Sequence, residues 1–186
     1  FTGNTAYNGG AIANNGNLDV SGATFKGNTA SNWGGAIVNW QDMTVKGSTF
    51  EDNVAGVVGG AIGSDSTSNA VNIASSVFKN NHSVYDGGAI GSYKGLTITG
   101  STFEGNTAQL DKSDSGEWNV AVEDATAIGG GAISFGAVSA TAIATIENTL
   151  FKNNVSGYNG GAIGTRMGKD ANNSAAKLDI SATFTG

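Results

Sequence analysis

The sequence predicts an all-β solenoid, a single-stranded right-handed parallel β-helix of about seven coils, each built of three short strands. Three observations predict it. Gly-Gly-Ala-Ile occurs six times, starting at Gly9, Gly34, Gly59, Gly87, Gly130 and Gly160. Phe-x-x-Asn precedes each copy, at Phe1/Asn4, Phe25/Asn28, Phe50/Asn53, Phe78/Asn81, Phe103/Asn106 and Phe151/Asn154. The pair returns about every 25 residues, and self-similarity at that period marks a stacked repeat. Within each unit apolar and polar residues alternate, and no window carries a useful helical period.

The first strand lies ahead of the phenylalanine. Leu18 and Val20 precede Phe25, Met43 and Val45 precede Phe50, Val71 and Ile73 precede Phe78, and Leu96 and Ile98 precede Phe103. Ala144 and Ile146 repeat the pattern before Phe151, and Leu178 and Ile180 sit one residue closer to Phe184. A period of two marks a half-buried strand. After a short Gly/Ser/Ala step, x-Thr-Phe forms the second strand. Asn-Thr-Ala is expected to turn the chain, and Gly-Gly-Ala-Ile to open the third strand. Coils about 4.8 Å apart would stack equivalent residues. Ile12, Ile37, Ile62, Ile90, Ile133 and Ile163 are expected as one internal ladder, and Phe25, Phe50, Phe78, Phe103 and Phe151 as another.

Asn28, Asn53, Asn81, Asn106 and Asn154 follow the second strand, where left-handed backbone is needed. They are expected to form an internal amide ladder. The absence of proline suits a fold in which every strand N–H is bonded. Lys26, Glu51, Lys79, Glu104 and Lys152 follow the phenylalanines and would stack outward as a stripe of alternating sign. Both ends fall inside a repeat, so residues 1–186 read as one β-helix segment of a longer array.

Composition removes several classes of function. With no cysteine there is no disulfide scaffold or thiolate metal site, and the single histidine, His82, makes no His-rich site. The net charge of −6 and nine scattered Lys and Arg residues argue against a nucleic-acid partner. No apolar run reaches the roughly 20 residues of a membrane span.

The paired GGA[ILV] and FxxN motifs resemble the repeats of chlamydial polymorphic membrane proteins, which are autotransporter passengers. The run from Gly-Gly-Ala-Ile through Leu18-Asp19-Val20-Ser21-Gly22-Ala23-Thr24-Phe25-Lys26-Gly27-Asn28 also looks like adhesin-like surface proteins of bacteria and methanogenic archaea. The resemblance covers essentially the whole chain. It implies a right-handed parallel β-helix on an extracellular surface, cell-bound or secreted, and carries over no catalytic residues.

Function is then sought where the repeat is broken. From Phe to the first Gly is usually 8 or 9 residues, but it is 27 from Phe103 to Gly130, giving one long loop at about 109–126. Insertions in solenoids map to loops on one face, often the binding face. Trp118 with Asp111, Asp114 and Glu117 could meet a glycan or protein, or Trp118 could fold back over the coil. Asp111, Asp114, Glu117 and Asp124 lack the spacing of a calcium loop, so no metal or cofactor is expected. A second candidate is an aromatic row ahead of the diglycine, Tyr7, Trp33, Tyr85 and Tyr158, with Trp40 and Tyr93 sharing a position after the ladder isoleucine. A third is the alanine of the motif. Period two would turn Ala11, Ala36, Ala61, Ala89, Ala132 and Ala162 outward as a smooth contact face.

No catalytic constellation is expected. Paired carboxylates such as Glu51/Asp52 face opposite ways on a strand, and the lone arginine is Arg166. The favoured reading is an extracellular structural or adhesive repeat module that binds through loops on the rod. Its partner would be a glycan or protein on a host or neighbouring cell, or copies of itself. The alternative is a fibre subunit joined through coil edges or the Gly/Ala face; a carbohydrate-active β-helix enzyme is the third. Of the three Asn-x-Ser sequons, only Asn173 is expected to be open to glycosylation, because Asn81 and Asn154 are ladder positions.

Overall fold

A computed structural model of the chain describes residues 1–65, 70–93, 95–108, 110–112, 118–120, 129–136, 142–165 and 177–186. Among them every regular element is a strand, and no helix is long and apolar enough to cross a membrane. The strands stack in parallel as three long sheets of a right-handed β-helix. One sheet contains the two strands that flank the Gly/Ser/Ala step. Leu18–Ser21, Met43–Lys46, Ala70–Ala74 and Gly95–Thr99 stack on one half of Ile143–Lys152. Thr24–Lys26, Thr49–Glu51, Val77–Lys79 and Thr102–Glu104 stack on its other half. The third sheet holds the isoleucine strands, from Ile12–Asn14 to Ile163–Thr165.

The second sheet lies where the Asn-Thr-Ala segment was expected to turn. Thr5–Ala6, Thr29–Ala30, Val54–Ala55, His82–Ser83, Thr107–Ala108 and Val155–Ser156 are two-residue parallel strands. The corner falls one residue before the ladder asparagine. Gly27, Asp52, Asn80, Gly105 and Asn153 hold the positive φ, and the ladder asparagines do not. These are the residue types that enter left-handed backbone at low cost.

The registers align the expected ladders. Ile12, Ile37, Ile62, Ile90, Ile133 and Ile163 pair coil to coil. The phenylalanine stack runs from Phe1 to Phe184, with ring centroids 4.7–5.1 Å apart and planes within 11°. Each such contact contributes about 0.5–1.5 kcal/mol beyond burial. Phe25, Phe50, Phe78 and Phe103 are fully buried. The shorter last spacing is absorbed by a register shift between Glu147 and Thr149, where Asn148 takes positive φ as the extra residue.

The alanines of the motif point inward, not outward. Ala36, Ala61, Ala89 and Ala132 are fully buried in the same core as the isoleucines, and Ala11 and Ala162 pack against it. The reason is that each alanine lies in the bend ahead of the isoleucine strand and not within it. The N–H groups of Ala36 and Ile37 both donate to the carbonyl of Ala61, at 3.0 and 2.9 Å. Ala61 and Ile62 do the same to Ala89, and Ala89 and Ile90 to Ala132. Strand alternation does not extend through the bend, and both side chains enter the core. The outward alanine face therefore does not exist, and with it goes a fibre joined through that face.

Both glycines of the motif serve this corner. Gly34 has φ 64°, and a Cβ there would meet the backbone of Ile37 and Val38. A Cβ on Gly35 would run into the carbonyl oxygen of Gly60 in the next coil.

Candidate functional site

A coil residue is available to a partner only when its neighbours above and below have not consumed its bonding groups. The asparagine ladder is fully consumed. Each side-chain Nδ2 donates to the next asparagine's Oδ1 at 2.9–3.0 Å, from Asn4 to Asn154. The same Oδ1 also accepts the backbone N–H of the asparagine before it, at 3.0–3.1 Å. The second Nδ2 hydrogen of Asn53, Asn81 and Asn106 goes to the carbonyl of Phe25, Phe50 and Phe78. The sequon residue Asn81 is thus buried and bonded at every amide atom. Asn173 lies outside the described residues.

A second polar ladder accompanies it. Ser48, Ser76, Ser101 and Thr149, buried two positions before the phenylalanines, accept N–H groups of Ala23, Ser48, Ser76 and Ser101. Each hydroxyl donates to the carbonyl two residues back.

The charge stripe is paired at both ends. Lys26 meets Glu51 at 3.0 Å, and Lys152 meets Glu104 at 2.9 Å across the insertion. The bond to Glu51 raises the Lys26 ammonium above its ordinary value, and the bond from Lys152 lowers the Glu104 carboxyl. The two lysines are exposed and the two glutamates partly so, and such pairs contribute little stability. Among the described residues no group of His, Asp and Glu could hold a metal ion.

The departures from the repeat cluster on the flank of the isoleucine sheet. The expected aromatic row divides in two. Bridges join Trp33 to Val58 and Val58 to Asp86, so Asp86 and not Tyr85 continues the Trp33 column. Tyr7, Tyr85 and Tyr158 stand one residue earlier, two before the diglycine. Tyr7 and Tyr158 are exposed at 71% and 48%, and Tyr85 is half-buried. Trp33 instead reaches across a coil to stack on Tyr93, with centroids 5.4 Å apart and planes 17° apart. Trp40 and Tyr93 occupy one column, with Asp65 between them, as the N–H bonds of all three to the coil before them require. Asn8, Asn32, Trp33, Val38, Trp40 and Asp65 line a cleft of about 190 Å³ there.

Within the insertion, two short strands are described. Leu110–Lys112 and Trp118–Val120 pair antiparallel, with Lys112 opposite Trp118 and Asp111 opposite Asn119. Asp114, Glu117 and Asp124 lie outside the described residues. The chain rejoins the solenoid at Gly129, whose N–H donates to the buried carboxylate of Asp86 at 2.9 Å. His82 is buried in the second sheet with Nδ1 2.9 Å from the Thr107 hydroxyl.

Comparison with known proteins follows this repeat. The family model of the Chlamydia polymorphic membrane protein repeat matches residues 22–39, 75–93, 100–136 and 148–166, together half of the chain. Each matched stretch runs from just before a phenylalanine to the isoleucine strand of the same coil. No curated protein and no solved structure matches.

Proposed function

The chain belongs to the Chlamydia polymorphic membrane protein repeat family, a repeat of surface-exposed, adhesin-like proteins, and from that premise we propose that it is an adhesive module. Its coils form a stiff extracellular rod, and its partner is a glycan or protein on a facing cell. One observation carries this reading. The repeated residues spend their bonding groups on neighbouring coils, while Trp33, Trp40 and Tyr93 depart from the repeat and keep part of their surface exposed. Aromatic side chains that keep exposed surface are the residue types enriched at contact hot spots. The absence of regular Lys or Arg clusters favours a partner other than nucleic acid.

The test is binding of the labelled, purified chain to eukaryotic cell monolayers, competed by unlabelled chain. Saturable, competed binding supports adhesion. Binding that neither saturates nor competes contradicts it.

A further inference from the structure

Independently of what the rod binds, we propose that Asn15 is a site of spontaneous modification, where ring closure through the Gly16 nitrogen converts the side-chain amide to aspartate and isoaspartate. The chain has three Asn-Gly dyads, Asn8-Gly9, Asn15-Gly16 and Asn159-Gly160. Glycine favours the reaction because no Cβ shields its nitrogen. That nitrogen attacks Cγ of the asparagine and a C–N bond forms. The side-chain NH2 leaves with the nitrogen's proton as ammonia. Water then opens the cyclic imide at either carbonyl. One opening restores the normal backbone as aspartate. The other gives isoaspartate, whose main chain is one methylene longer.

Composition does not choose among the three dyads, but their bonds do. Closing the ring rotates the planar Asn-Gly peptide, so bonds held by its C=O or N–H must break. The Gly9 N–H donates to the Trp33 carbonyl at 2.9 Å, and Asn8 Oδ1 accepts Asn32 Nδ2 at 3.0 Å and the Trp33 N–H at 3.3 Å. Gly9 is also buried at φ 59°, against the backbone of Ile12. Asn159 is exposed, but its carbonyl accepts the Gly130 N–H at 2.8 Å. Gly160, at φ 55°, is crowded by the Ile163 carbonyl.

Asn15 and Gly16 are both exposed, in the corner between the strands Ile12–Asn14 and Leu18–Ser21. Among the described residues neither makes a backbone–backbone hydrogen bond, and the Asn15 amide has no protein partner. Nothing lies within 4 Å of a Cβ on Gly16, so the corner leaves room for the imide and the longer main chain. One restraint remains. The Gly16 N–H donates to Asn14 Oδ1 at 3.2 Å, while Asn14 Nδ2 donates to the Gly16 carbonyl and to Asn39 Oδ1. Asn14 thereby keeps the proton on the attacking nitrogen and acts as a brake. The product adds a negative charge to an outward corner of a chain already at −6. It leaves the ladders whole, because no backbone bond to the next coil runs through Asn15 or Gly16.

The experiment incubates the purified full chain in mildly alkaline buffer. Peptide-mapping mass spectrometry follows all three dyads, with fragmentation that separates aspartate from isoaspartate. Asn15 is expected to convert at least about tenfold faster than Asn8, where three hydrogen bonds oppose the reaction, and faster than Asn159. Isoaspartate is expected among its products, with the β-sheet spectrum kept. Gly16→Ala is expected to slow Asn15 severalfold and Asn14→Ala to quicken it, with Asn8 unchanged in both. Asn8 in each sample reports the state of the coil. Where Asn14→Ala quickens both sites, it has loosened the coil, and Gly16→Ala carries the result. Conversion of Asn8 or Asn159 as fast as Asn15, or aspartate without isoaspartate, overturns the proposal. So does loss of the β-sheet spectrum on conversion, or a rate at Asn15 unmoved by Gly16→Ala or by Asn14→Ala.

Discussion

Asn53 is joined to Asn81 twice: its backbone N–H and its side-chain Nδ2 both donate to the Oδ1 of Asn81, at 3.1 and 2.9 Å. Asn81 then passes the same pair of bonds to Asn106. The relation needs an acceptor and two donors on one short side chain, which only asparagine supplies at this length. Asn81→Ala leaves the Asn53 N–H and one hydrogen of its amide buried without an acceptor, takes the Nδ2 donor from the Phe50 carbonyl, and leaves Asn106 Oδ1 only the backbone N–H of residue 81. A loss of about 3 kcal/mol or more in urea unfolding is expected, since each orphaned group costs about 1–3 kcal/mol. A loss below 1 kcal/mol would show that water replaces the ladder.

The phenylalanine stack predicts a graded series. Phe78 is fully buried, with Phe50 and Phe103 at 4.8 and 4.7 Å on either side. Phe78→Ala is expected to cost about 3–5 kcal/mol, and Phe78→Leu distinctly less. Chemical denaturation of both variants checks the order, and equal losses would contradict it.

The two kinds of glycine predict opposite outcomes. Gly35→Ala drives a methyl into the Gly60 carbonyl, whereas nothing lies within 4 Å of a Cβ on Gly16. Gly35→Ala should destabilise by about 2–3 kcal/mol. Gly16→Ala should stay within about 1 kcal/mol of wild type, on the stabilising side. Thermal melts distinguish them.

The exposed ion pairs predict a small, salt-sensitive pH effect. Lys152 lowers the folded-state value of Glu104, so its contribution is present above the ordinary 4.5 and is lost as pH falls through the depressed value. Lys26 is raised, so its contribution is present below 10.5 and is lost as pH rises through the raised value. Lys152→Met should therefore melt lower than wild type at pH 7 in dilute buffer, and alike at low pH or in about 1 M salt. A difference that persists in acid would place its cause elsewhere than the pair.

The clamp on the insertion predicts a local change. Asp86→Ala releases the Gly129 N–H. Hydrogen exchange should quicken at Gly129 while the Asn81 amide stays protected. Equal acceleration at both would mean that Asp86 supports the whole coil.

Much of this fold is legible in the chain because its main ladders use large or chemically singular residues. Phe78 and Asn81 recur at fixed spacing, and their stacking follows from a coil repeat. The inward turn of Ala61 is not legible, because Ala61 lies in a bend ahead of the strand, where its N–H and that of Ile62 share the Ala89 carbonyl and period-two counting does not apply. The hydroxyl ladder hides because Ser48, Ser76, Ser101 and Thr149 sit in a short step of small residues whose column begins with Ala23 and whose neighbours vary among Gly47, Ser75, Gly100 and Asn148. At the candidate site the aromatics are visible but their grouping is not. Trp33 and Tyr85 lie one residue out of register, and the contact of Trp33 with Tyr93 spans a full coil.

The central claim is that the repeated residues build the rod and the departures from the repeat meet the partner. Its most direct measurement compares cell binding by wild type with a regularised chain. That chain lacks residues 109–126 and carries Trp33→Val, Trp40→Asp and Tyr93→Asp, the residues of the third coil at those positions. The predicted result is an intact β-sheet spectrum and a similar melting temperature with binding abolished. Full binding by the regularised chain would contradict the claim and assign recognition to the repeat itself.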